Sequence, residues 1–147
     1  MVELMVVVLI VGVLAAVAIP LMTGRTDASK WSEATMTMGT IATALRAYGI
    51  EKGSFSGAPS LQGIGILDDD LDGTYFSHEA YAITSASALD DRTSFVITCT
   101  AADSTRADAP TSPAGMTLTC NSRNGYQATF ADVGGVQRST PEASPFR

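Results

Sequence analysis

The chain has 147 residues, 46% of them hydrophobic, and a formal net charge of −6. That length allows one globular domain beside one long helix. The acidic balance, with no cluster of Lys or Arg, removes the electrostatic basis for a nucleic-acid-binding face, so no nucleic acid partner is expected. One histidine and two cysteines, without Cys-x-x-Cys, Gly-x-Ser-x-Gly or a Gly-rich phosphate loop, exclude the common redox, nucleophilic and nucleotide chemistries. An enzyme is not expected.

A charge-free apolar run from Leu4 to Gly24 follows a single acidic residue, Glu3. As a helix it rises about 30 Å, the thickness of a bilayer core. A carboxylate beside hydrocarbon costs roughly 2.5–3.5 kcal/mol on insertion scales, so Glu3 implies a partner or a route to an interface. Gly12 and Pro20 weaken the helical ladder around Val13–Ile19 and predict a kink there.

The stretch from Glu3 through Gly12 to Pro20 resembles the N-terminal signature of type IV pilins and of the type II secretion pseudopilins. The resemblance in sequence ends at Pro20; beyond it, only the order of elements is similar. It implies an α+β type IV pilin fold, a long N-terminal helix packed on a C-terminal antiparallel β-meander. It also implies a basic leader removed by a prepilin peptidase, a methylated first residue, and two residues upstream of Met1. The function implied is structural: subunits held in the inner membrane polymerise, through assembly machinery, into an extracellular pilus filament. A periplasmic pseudopilus and a minor or tip pilin that primes or binds are the alternatives. Glu3, Gly12 and Pro20 are the assembly residues by this resemblance, and the partners are identical subunits.

Five segments follow along the chain. Residues 1–24 form the transmembrane or filament-core half of a helix, and 25–52 its amphipathic half. Trp31, Ala34, Met38, Ile41, Leu45 and Tyr48, spaced three and four apart, make one apolar stripe. Residues 53–80 are a glycine-rich connection. Within it, Asp68, Asp70, Asp72 and Glu79 match the spacing of an EF-hand calcium loop, with Gly73 at the sharp turn, and make Ca2+ the one candidate cofactor. Gly63–Leu67 is too short and glycine-rich for an entering EF helix, and a solvated acidic turn is the competing reading. His78 reads as an ordinary exposed histidine.

Residues 81–138 form the sheet, with alternating strands predicted at 81–84, 93–99, 116–120 and 126–130. Cys99 and Cys120 share the parity of the apolar residues. A disulfide between them would enclose about twenty residues and contribute roughly 3 kcal/mol; two buried free thiols are the alternative. The segment 139–147 is a tail with two prolines.

Overall fold

A computed structural model describes residues 2–55, 59–89, 92–133 and 137–138. Its elements are a helix α1 (Val2–Lys52), a single helical turn α2 (Asp68–Leu71), and strands β1 (Tyr81–Leu89), β2 (Arg92–Thr100), β3 (Gly115–Asn121), β4 (Thr129–Asp132) and β5 (Gln137–Arg138). The strands pair antiparallel in chain order, β1-β2-β3-β4-β5. The expected tail, residues 139–147, lies outside the described residues.

The core forms where the stripe of α1 meets the inward parity of the sheet. Trp31, Ala34, Met38, Ile41 and Leu45 are buried, opposite Phe95, Ile97 and Cys99 of β2 and Met116, Leu118 and Cys120 of β3. Tyr48 is half-buried at the end of the stripe. Each buried aliphatic or aromatic side chain of this kind contributes about 1.5–3 kcal/mol relative to exposure. Aromatic rings close one end: Trp31 and Phe76 lie 4.9 Å apart between ring centres. At the other end α1 stops where Gly53 adopts a left-handed φ of 68° and donates its N–H to the carbonyl of Gly49. Phe55 then folds back over Gly49, where a Cβ would come within 2.8 Å of its ring.

Three expectations are corrected here. The chain is α+β at its coarsest, a helix and an antiparallel sheet, but the type IV pilin fold with a membrane-spanning first half does not stand. Among the described residues no helix is long and apolar enough to cross a membrane. The placement in an inner membrane before export loses its basis with it.

The Cys99–Cys120 disulfide is the second correction, because both residues are free and buried. Both cysteines do face the core, but alternation alone does not set their register. Cys99 pairs with Met116, and Cys120 with Phe95. The two cysteines are thus offset by four residues along neighbouring strands, roughly 13 Å, whereas a disulfide needs Cα atoms within about 7 Å. Burial chiefly, and Asp103 secondarily, push the Cys99 thiol up to about 12.

The third is the fourth strand, which spans Thr129–Asp132 instead of 126–130. Asn121 caps a 3-10 turn by accepting the N–H of Arg123, and Gly125 and Tyr126 then take left-handed φ values of 64° and 60°. That turn consumes the residues whose alternation suggested an earlier start.

Two outcomes check this packing. Unreduced protein should titrate with two thiols, both reacting with alkylating reagents only after denaturation. Leu118→Ala, at the centre of the core, should lower the unfolding free energy by about 2–5 kcal/mol in denaturant melts.

Candidate assembly surface and its supporting clamps

The first half of α1 has no cover among the described residues. Leu4, Met5, Val8, Leu9, Val13, Leu14 and Val17 are each more than 60% exposed, and Val6, Val7, Ile10 and Val11 about half or more. These positions run all round the helix, so no rotation could present a polar face to water. A helix apolar on every side is stable only when enclosed by other apolar matter. Glu3 lies exposed in the first turn, where the positive end of the helix dipole favours a carboxylate. Gly12 has open space around its Cα, with nothing within 4 Å of a built Cβ. Pro20 is inside the continuous span of α1, and its side chain lies outside the described residues.

Two carboxylates of the second half hold the loops against α1. Glu33 accepts the backbone N–H groups of Thr74, Tyr75 and Phe76 at 3.2, 3.0 and 3.1 Å. A Cβ at position 73 would sit 2.2 Å from a Glu33 oxygen, so a side chain there would push this carboxylate off its three donors. Asp27 does the same for the β2–β3 loop, accepting from the N–H and hydroxyl of Thr111 and from the N–H of Ser112. Arg46 donates to the carbonyl of Tyr126 and lies 5.0 Å from the centre of its ring. Lys30 lies 5.4 Å from the centre of the Tyr75 ring.

The predicted calcium ligands are not brought together. Among the described residues no group of three or more His, Cys, Asp or Glu could hold a metal ion. Asp68 accepts from the Gln62 amide, Asp70 from the N–H of Leu67, and Glu79 from the Ser77 hydroxyl. Asp72 faces His78, accepting its backbone N–H at 2.8 Å and lying 3.0 Å from Nδ1, with Arg106 at 3.5 Å from its other oxygen. The reason is local: Asp68–Leu71 wind into a helical turn, which fans successive carboxylates outward instead of converging them. The acidic-turn reading describes this segment, and the Ca2+ assignment is withdrawn.

The Asp72–His78–Arg106 contact was missed from the sequence. The backbone and side-chain bonds from His78 hold the Asp72 carboxyl below its usual range, and the same side-chain bond raises the imidazole. No residue spacing signals this, because Arg106 arrives from a separate loop.

No family model matches this chain, and neither curated proteins nor solved structures offer a match.

The His78 imidazole should titrate above 6.5 by NMR and return toward it in Asp72→Asn. The sign follows from both shifts. The pair stabilises the fold above the depressed Asp72 value and below the raised His78 value. That contribution is lost as pH rises through the imidazole's folded value or falls through the carboxyl's. Glu33→Ala leaves the N–H groups of exposed Thr74, half-buried Tyr75 and buried Phe76 without their acceptor and should destabilise the fold by about 1.5–3 kcal/mol in denaturant melts.

Proposed function

We propose that this chain is a structural subunit that polymerises with copies of itself into a filament through its N-terminal helix. This is the role of the type IV pilins that the Glu3–Pro20 segment resembles. The observation that carries the reading is the exposed, all-round apolar first half of α1, joined without interruption to a second half that is anchored in a domain. An apolar rod projecting from a folded head is suited to burial among other rods. That burial contributes about 25 cal/mol per Å² of apolar area removed from water. Repeated head-to-tail contact that does not close on itself generates a filament.

The reading assigns no catalytic role. It carries with it a processing peptidase for the prepilin leader and an assembly machinery as partners. Glu3 is the specificity element: once surrounded by apolar helices its charge requires a cation from a neighbouring subunit. The pseudopilin alternative rested on the acidic loop, whose carboxylates have separate partners, and no other observation favours it.

Deleting residues 2–24 should leave a folded domain that stays monomeric by sedimentation, whereas the full chain sediments as polymer. Equal polymer from both would remove the proposal. Glu3→Ala should make filaments sparse in electron micrographs without altering the domain's melting.

A further inference from the structure

The sheet has two edges, and they are not alike. At one end β5 spans only Gln137–Arg138 and includes a charged residue. Short length and charge are common protections against the addition of a foreign strand. At the other end β1 runs for nine residues, Tyr81–Leu89, with no charged residue and no proline. Pairing with β2 occupies one side of it. Every second residue of an antiparallel strand points its N–H and C=O away from that partner. Among the described residues nothing outside the β1–β2 ladder bonds to the backbone of Ala82–Leu89. Ala82, Thr84, Ser85 and Ser87 are exposed along it.

The edge has one protective device, a bulge between Ile83 and Ser85. A bulge twists the strand locally and interrupts pairing at that point. Beyond it the register is regular, from Ser85 opposite Val96 to Leu89 opposite Arg92. The Ser87 hydroxyl is 2.9 Å from that of Ser94 within the sheet, so it makes no demand on the open side. Five uncharged residues are thus left where another strand can hydrogen-bond.

We propose that Ser85–Leu89 pairs antiparallel with the same stretch of a second copy carried on a separate polymer, joining the two polymers sideways. The inference rests on the polymerisation reading above and adds a contact that residues 2–24 do not make. Two observations select an identical strand as the occupant. Among the described residues β1 is the one long open edge, and another copy supplies its match. With no charge between Tyr81 and Leu89, two identical strands meet without like-charge repulsion. About a two-fold axis at Ser87, Ser85 comes opposite Leu89 and Ala86 opposite Ala88. Size decides when the contact forms. Five residues extend about 17 Å, and a strip about 10 Å deep buries roughly 340 Å² over both partners. Stable interfaces begin near about 1,200 Å². Single heads therefore stay apart in solution, whereas arrays of heads hold together, because each joined pair raises the effective concentration of the next.

Full-length protein, polymerised by dilution from detergent, tests this by differential centrifugation. Low speed collects polymers joined sideways; high speed collects all polymer. Ser87→Lys and Ser87→Asp each place like charges opposite one another at the axis. Each should lower the low-speed fraction by about tenfold, with total polymer and domain melting unchanged. Mixing Lys-bearing with Asp-bearing polymers should restore it. A benzophenone-bearing residue in place of Ser85 should cross-link to residues 85–89 of another copy. Variants that join like the native chain, a mixture that does not recover, or cross-links confined to other segments would overturn the pairing. Native polymers that remain single would also overturn it, while leaving the polymerisation reading intact. A native chain that forms no polymer at high speed would overturn both.

Discussion

Trp31, Ala34, Met38, Ile41 and Leu45 can bury themselves only against a sheet whose inward residues arrive at matching depth, and β2 and β3 supply them. One layer of helix and one of sheet share a single core. The outward face of the sheet, with Thr84, Thr98, Thr117 and Thr119 exposed or half-buried, contributes none of it. The connection between α1 and β1 adds Phe55, Ile66, Leu71 and Phe76 to that core, and with the connection between β2 and β3 it lies at the rim. They are held by polar contacts that α1 also provides. Glu33 gathers the backbone of 74–76, and Asp27 gathers Thr111 and Ser112. Charge-assisted bonds of this sort are about twice as strong as neutral ones.

The two loops are also tied to each other. Ser104 accepts the N–H of Ser77 and donates to the carbonyl of Tyr75, while Ser77, itself buried, accepts the N–H of Thr105. Arg106 reaches across to Asp72. The acidic segment thus has a structural task, which is to fasten one end of the domain, and its carboxylates satisfy backbone and side-chain donors individually.

Along α1 the physical setting changes once. From Asp27 onward, most charged side chains are engaged with the domain; before Arg25, Glu3 is the only ionisable side chain. One helix thus joins a head that is satisfied internally to a rod that is not. The functional reading depends on that asymmetry, not on any pocket or reactive group.

The buried stripe of α1, the inward parity of β2 and β3, and the apolar, charge-free character of the first half were all legible in the sequence. Helical and strand periodicities are properties of the local backbone, and water sorts side chains by them. Register was not legible. A shift along a strand pair changes no parity when it is an even number of residues, so alternation placed Cys99 and Cys120 on one face while leaving their four-residue offset open. The calcium pattern failed for a related reason: its spacing holds equally in an extended loop and in the helical turn of Asp68–Leu71, and only the first converges oxygens. Thus the sequence by itself determined which faces are apolar and which residues turn the chain. Tertiary structure alone decided which residues meet, because the partners of Asp27, Glu33, Arg46 and Asp72 come from distant segments whose positions depend on how the whole chain closes.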